Sequence, residues 1–377
     1  MTATWIDAAF VRGGTSKGLF FNDAKLPRDR AGRDRVFTVA LGSPDRFGRQ
    51  LDGMGGGISS LSKVMVVAPS TDPDIDLEYT FGQVDVATPV VDYSGNCGNL
   101  SAGVVPFALL EGILAADDGD RSFRLLNTNT GKVVVVNAAV QAGQAMTEGT
   151  FSLPGVTQPG APIELVYPDP AGSRTGALLP TGRPVEVLDV DGRDVRVSLM
   201  DAAVPLVIVH ADDLGLTGTE LPDDLDANVG VSGLLEKLRR SAAVAMGLAQ
   251  SLEDAPLVVP KVAIISESAN SDTLDGIGVP LDEADITVRM ISMGRAHKAI
   301  PGTGAMCLAA AALTQGTIVQ ELTCSTPSQG GTLRMGTPSG VVAARAALTD
   351  EEFGAPELAS VSLLRTARVL MRGAVAV

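Results

Sequence analysis

The sequence predicts an α+β fold built as two similar halves, each a curved, mostly antiparallel sheet around one central helix. Three observations lead there. Short strand-like runs greatly outnumber helical ones along the 377 residues. Two helical runs, residues 100–110 and 306–313, are apolar all round, which places a helix inside a domain rather than on its surface. Each follows a turn of the same design, Gly95-Asn96-Cys97-Gly98-Asn99 in one case and Pro301-Gly302-Thr303-Gly304-Ala305 in the other. In both, glycines and short polar residues lead into the helix, although no extended residue identity links the halves.

The elements follow in order. Residues 5–11 alternate into the turn Arg12-Gly13-Gly14-Thr15-Ser16-Lys17-Gly18, and a strand resumes at Leu19-Phe20-Phe21, a hairpin-like unit. A helix is expected over 30–41. Strands are expected over 63–68, 77–81, 85–91, 122–126 and 132–139, with one more possible at 148–153. The central helix over 100–110 carries Pro106, which should kink it or end its regular part early. Pro- and Gly-rich sequence over 154–184 reads as a connection, giving domains 1–182 and 183–377, with the last strand free to return to the first domain. The second half offers strands at 185–189, 195–201 and 204–210, a helical segment near 231–250, and strands at 261–265 and 286–292. After the second buried helix, strands at 334–337, 340–347 and 360–372 close the chain.

Composition narrows the function. The formal net charge of −15 disfavours nucleic acid and anionic membrane as partners, and 4% aromatic residues leave little for a base-stacking platform. Mean hydropathy is +0.23, yet no apolar run approaches the length that spans a bilayer. The start, Met1-Thr2-Ala3-Thr4-Trp5, lacks the features of a secretory signal, and three irregularly spaced cysteines suit a reducing cytoplasm. Two histidines, His210 and His297, argue against a His-based metal centre and against Ser/His/Asp catalysis.

Two Gly-rich loops imitate nucleotide sites and fail on spacing. Residues 12–18 lack the glycine that precedes Lys-Ser/Thr in a phosphate loop, and in 52–58 Ile58 takes the place of the third fingerprint glycine. Basic residues nevertheless sit in the Gly-rich motifs or on their flanks, among them Arg12, Lys17, Lys63, Arg289, Arg295 and Lys298, so a locally positive cleft fits an acidic chain. A helix start offers unpaired N–H groups and partial positive charge, which suits carboxylates and a thiolate. Cys97 is placed there to move protons, or else is a small buried cap residue. Lys63 leaves the turn Ser59-Ser60-Leu61-Ser62 into an apolar strand. A lysine taken partly out of water can serve as a general base, whereas a solvated one merely ends a strand. Cys307, inside the second helix, reads as core, and Cys324 lies in a Ser/Pro loop.

Four motifs in order, 12–18, 57–63, 95–99 and 302–305, resemble the PrpF family over nearly the whole chain. Its members include isomerases of 2-methylaconitate, 4-oxalomesaconate, methylitaconate and aconitate. The resemblance implies a diaminopimelate-epimerase-like fold of two barrel-like domains, with the site in the cleft between them. It also implies that Lys63 is an acid/base lysine and that Cys97 stands across the substrate from it. The helix starts at Asn96, Gly98 and Asn99 and at Thr303, Gly304 and Ala305, with Thr15, Ser16 and Lys17, would hold carboxylates. Ser60, Ser62 and Arg289 complete the expected substrate-binding set. In the related epimerases a second cysteine directly precedes the Gly-Thr-Gly turn, and here that position is Pro301.

The implied activity is a cofactor-independent 1,3-proton shift or cis–trans isomerisation of a small unsaturated di- or tricarboxylate. Neither metal nor organic cofactor is needed, and a homodimer is admitted without being required. Two alternatives stay open: an amino-acid epimerase or racemase, and a non-catalytic carboxylate-binding accessory protein.

Overall fold

The computed structural model describes residues 4–323, 331–349 and 357–377. The chain divides into two compact units: residues 1–166 with 364–377, and residues 167–363. The division falls inside the strand Ile163–Pro168, and the C-terminal segment from Leu364 is grouped with the first unit.

Unit 1 contains β1 (Trp5–Gly13), β2 (Ser16–Asn22), α1 (Arg30–Leu41), β3 (Lys63–Pro69), β4 (Leu77–Val84) and β5 (Val91–Asp92). There follow α2 (Gly98–Ser101), α3 (Val104–Leu110), β6 (Gly119–Asn127), β7 (Lys132–Gln141), β8 (Gln144–Ala145) and β9 (Ile163–Pro168). Unit 2 holds β10 (Glu186–Val190), β11 (Arg193–Ala202), β12 (Val204–His210), α4 (Pro222–Ala227), α5 (Val229–Ala245), β13 (Lys261–Glu267), β14 (Ile286–Ser292) and β15 (Arg295–Ala296). Its remaining elements are α6 (Gly302–Leu313), α7 (Ile318–Leu322), β16 (Thr332–Thr337), β17 (Gly340–Leu348) and β18 (Leu358–Arg365), and β19 (Ala367–Ala376) returns to unit 1.

The two units repeat one pairing pattern. In unit 1 the order is β19-β1-β2-β3-β4-β6-β7-β9, with parallel pairs at β2–β3 and β4–β6 and antiparallel pairs elsewhere. In unit 2 it is β10-β11-β12-β13-β14-β16-β17-β18, with parallel pairs at β12–β13 and β14–β16. The short β5 and β15 lie antiparallel on the corresponding strands β4 and β14. The two halves are therefore related by topology, with β19 supplying in unit 1 the strand that β10 supplies in unit 2.

Each sheet curls around its own helix. α6 packs on β11 and β12 and also on β16 and β17, strands from both ends of the order, which a flat sheet could not offer. Its alanines combine high helix propensity with small size, so the strands approach closely, and every residue from Gly304 to Ala312 is buried. In unit 1 the central helix is broken between α2 and α3. The ring of Pro106 clashes with the carbonyl four residues back, at Ala102, and the helix is interrupted there. Phe107 of α3 then packs on Phe20 of β2, ring centroids 5.6 Å apart.

Outside each barrel a second helix covers the sheet. α1 matches its expected bounds: Asp29 caps it by accepting from Gly32 N, and Gly42 ends it in the left-handed conformation. It buries Phe37 and Leu41 against Leu19, Phe21, Val64 and Val66. α5 covers Val262 and Ile264 in the same way. No helix among the described residues is long and apolar enough to cross a membrane.

Three expectations need correction, and one helix was not foreseen. The strand over 85–91 is mostly turn, because Asp85 accepts from Ala87 N, Thr88 N and the Thr88 hydroxyl. Residues 148–153 form only an isolated bridge, Phe151 with Gly160. The run 360–372 is two strands, interrupted at Thr366, which ties to the β1–β2 turn through Gly14 N. α4 was not expected, and begins at Pro222, where the missing N–H is harmless.

Candidate active site

The candidate site in unit 1 is built on the inner, helix-facing side of the sheet. Strand alternation puts Val64 and Val66 under α1, so Lys63, Met65 and Val67 face inward. Ser16, Gly18 and Phe20 of β2 share that inner face. A Cβ at Gly18 would stand 2.3 Å from the carbonyl oxygen of Lys63, so only glycine lets β2 approach at this point.

Lys63 is buried, and its Nζ donates to Oε1 of Gln83, the residue opposite it on β4, at 2.5 Å. The ammonium also lies 4.9 Å from the centroid of the Phe81 ring. Gln83 is oriented by its own amide, which donates to the carbonyls of Ser59 and Ser62.

Cys97 is the N-cap of α2, and its Sγ points at Oγ of Ser16, 4.0 Å away. Ser16 is buried. The first-turn N–H groups of Gly98, Asn99 and Leu100 precede the first intrahelical bond, Ser101 N to Cys97 O. Lys63 and Ser16 thus share the inner face of one sheet, and the Cys97 thiol meets that face at Ser16.

The floor under Cys97 is a buried polar network that the sequence did not reveal. Tyr79 donates to Oδ1 of Asn96, Asn127 donates to Tyr79, and the Ser101 hydroxyl lies within hydrogen-bond distance of both the Tyr79 oxygen and Cys97 O, to one of which it donates. Burial pushes the Tyr79 phenol above its ordinary pKa, so it stays neutral and holds the cup by hydrogen bonds. Tyr79, Phe81, Gln83 and Ser101 could have been suspected only as cross-strand or helical neighbours of Lys63 and Cys97.

Several expected binding residues are spent on structure. Asn96 turns inward to Tyr79. Asn99 donates to the Thr15 hydroxyl at 3.0 Å and accepts from Arg365 at 2.9 Å, clamping the β1–β2 turn, and Thr15 itself is exposed. Ser62 is fully buried, donating to Val84 O and accepting from Gln50. Lys17 lies on the opposite face from Ser16, with Nζ 5.3 Å from the Phe10 ring. Ser60 sits partly exposed in the turn just before β3.

In unit 2, Arg289 is 1% exposed and bonds four carbonyls, of Thr219, Glu220, Val288 and Gly336. Burial lowers its pKa to about 10, against the pull of Glu220. It ties loops to the sheet, with four of its five N–H donors directed to backbone carbonyls. Thr303 and Gly304 lie in the first turn of α6, but Ala305 N is already bonded to Pro301 O. Cys307 is fully buried, its thiol pushed up to about 12, as a core residue should be. Cys324 lies outside the described residues.

Comparison with known proteins identifies the family and the fold. The family model described as PrpF protein matches residues 3–377. The chain is 38% identical to the 3-methylitaconate isomerase of Eubacterium barkeri over 98% of this chain and 96% of that one. It is 37% identical to the 2-methyl-aconitate isomerase of Cupriavidus necator, with the same shares covered. Among solved structures, a methylitaconate-delta-isomerase superposes with a TM-score of 0.91 at 37% identity, covering 100% of this chain and 96% of that one. A hydroxyproline epimerase from Agrobacterium vitis, at 14% identity and a TM-score of 0.50 over 99% and 93% of the two chains, shares the fold alone. The fold is diaminopimelate-epimerase-like, and the chain belongs to the PrpF family.

Proposed function

We propose that this protein is an isomerase that moves a proton along the allylic system of a small unsaturated di- or tricarboxylate. The observation that carries the reading is Lys63, an amine on the inner barrel face bonded to a neutral amide rather than to a carboxylate. A lysine placed this way, with no carboxylate bonded to its Nζ in the described contacts, is free to work as a general base on a bound acid. The names of the relatives, isomerases of methylitaconate and methylaconitate, support the substrate class.

In the proposed reaction Lys63 removes a proton from the carbon next to a carboxylate or from its vinylogous position. The electron pair enters the conjugated system as a dienolate, and the N–H groups of Gly98, Asn99 and Leu100 stabilise the charge that develops. Proton return at the far carbon, from the Cys97 thiol or from the Lys63 ammonium, re-forms the double bond in its new place. Pro301 at the cap of α6 offers no second thiol, which counts against a two-cysteine racemase.

Proton NMR in D₂O tests this on 2-methylaconitate, methylitaconate, 4-oxalomesaconate and trans-aconitate, with Lys63→Ala beside the wild type. Double-bond migration with deuterium uptake that disappears in the variant is expected. A folded wild type that exchanges none of these acids overturns the reading.

A further inference from the structure

The glycine-rich run over 52–58, which fails as a nucleotide loop, closes over a buried side chain. Gln50 is 1% exposed and has a φ of 51°, in the left-handed region that a residue with a side chain seldom enters. Asp45 fixes the chain there, its carboxylate accepting from the N–H groups of Phe47, Arg49 and Gln50. The glycines then wrap the Gln50 amide. Gly57 N donates to Gln50 Oε1 at 2.9 Å, and a Cβ at Gly55 would stand 2.3 Å from that same oxygen.

The nitrogen of the amide bridges two buried serines. Gln50 Nε2 donates to Ser43 Oγ at 2.9 Å and to Ser62 Oγ at 2.8 Å. Each hydroxyl passes its own proton to a backbone carbonyl, Ser43 to Asp85 O and Ser62 to Val84 O. Both amide hydrogens, the amide oxygen and both hydroxyl protons are therefore used, and the network is closed.

These contacts grip the two chain segments that carry Lys63 and Gln83. Ser62 directly precedes Lys63, and Val84 directly follows Gln83. Neighbouring residues of a strand point to opposite faces, so Val84 packs in the core under α1 while Gln83 faces inward. Ser62 O accepts from Val84 N at 3.1 Å and from the Gln83 amide at 2.8 Å. Where the Ser62 peptide sits thus decides where the Gln83 amide meets the Lys63 amine, and Gln50 holds that peptide from behind.

We infer that Gln50 is a positioning residue for Lys63: it holds Ser62 and Val84 so that the amine and the Gln83 amide meet, and it acts through them rather than on the substrate. This rests on the isomerase reading above. It also gives the glycine run a purpose, since those glycines let the chain close over the amide that does the holding.

The test is a double-mutant cycle on whichever acid the wild type turns over. Gln50→Met fills the same space but holds neither serine. It should lower kcat about 10- to 100-fold, with KM within about threefold, because a small misplacement of a base costs rate more than binding. In a Gln83→Ala background the contact is already gone, so the same change should cost less than about threefold. A folded Gln50→Met with wild-type kcat at a permissive temperature overturns the inference, even if its melting temperature is lower. So does a full, additive loss in the Gln83→Ala background. Should Gln50→Met not fold, Ser62→Ala decides, since it removes the hydroxyl that Gln50 holds and keeps the backbone carbonyl. Its kcat should fall about tenfold at wild-type KM, and a wild-type kcat overturns the inference. A wild type that turns over none of the acids ends the isomerase reading and this inference with it, whereas an active wild type with unaffected variants ends this inference alone.

Discussion

Lys63 and Gln83 face each other across the β3–β4 ladder, with Nζ of one donating to Oε1 of the other at 2.5 Å. The amide is fixed from behind by the Ser59 and Ser62 carbonyls, so its oxygen is the end that meets the amine. Removing the base by Lys63→Ala should lower kcat by about 10³-fold or more. Gln83→Glu is the more informative change. A carboxylate there would pair with the amine and compete with its work as a base, so turnover should fall by about tenfold or more. Wild-type turnover in a folded Gln83→Glu would count against Lys63 as the base.

Cys97 and Ser16 give the second prediction. With Sγ 4.0 Å from Oγ, the thiol is steered by a hydroxyl and by the short helix it caps. Cys97→Ala should lower kcat about 100-fold while leaving Lys63 able to exchange substrate protons with D₂O. Exchange continuing after isomerisation has slowed separates proton return from proton removal. Unchanged turnover would reduce Cys97 to a shape-giving residue, with Lys63 serving both steps.

Much of this was legible in the sequence because it depends on local chemistry. The apolar helices, their glycine-rich entries and the capped helix α1 are written in neighbouring residues. The break at Ala102 follows from Pro106 by the geometry of one turn. What stayed hidden depends on partners distant in the chain. Nothing near Arg289 announces that carbonyls of residues 219, 220 and 336 will enclose it. Ser62 and Asn96 looked like ligand arms because their neighbours do. Their hydrogen bonds, to Val84 and Gln50 and to Tyr79, form only once the sheet has assembled.

Arg289 yields the third prediction. Arg289→Met removes the donor from four carbonyls at a site 1% exposed. Each buried acceptor left unpaired costs about 1–3 kcal/mol, so stability should fall by about 3 kcal/mol or more. The melting temperature should drop while KM at a permissive temperature holds. A raised KM with an unchanged melting temperature would restore Arg289 to the substrate-binding set.

The last prediction concerns acid stability in unit 2. Arg239 is 2% exposed and is held by Glu236, which also accepts from Arg240. The hydrogen bond from Arg239 is the main cause holding the Glu236 carboxyl below the ordinary glutamate value of 4.5. Between that lowered pKa and 4.5 the unfolded chain binds more protons than the folded one. The pair's contribution is therefore complete above about pH 4.5 and is lost as pH falls through the lowered folded value. Glu236→Gln should cost about 2 kcal/mol at pH 7 by weakening bonds to a buried guanidinium. It should also flatten the stability curve below pH 4.5, because the titrating group is gone. Urea unfolding of both proteins from pH 7 to pH 3 measures this: the two midpoints should converge as the pH falls. A constant gap down to pH 3 would mean that Glu236 keeps its ordinary pKa in the folded protein.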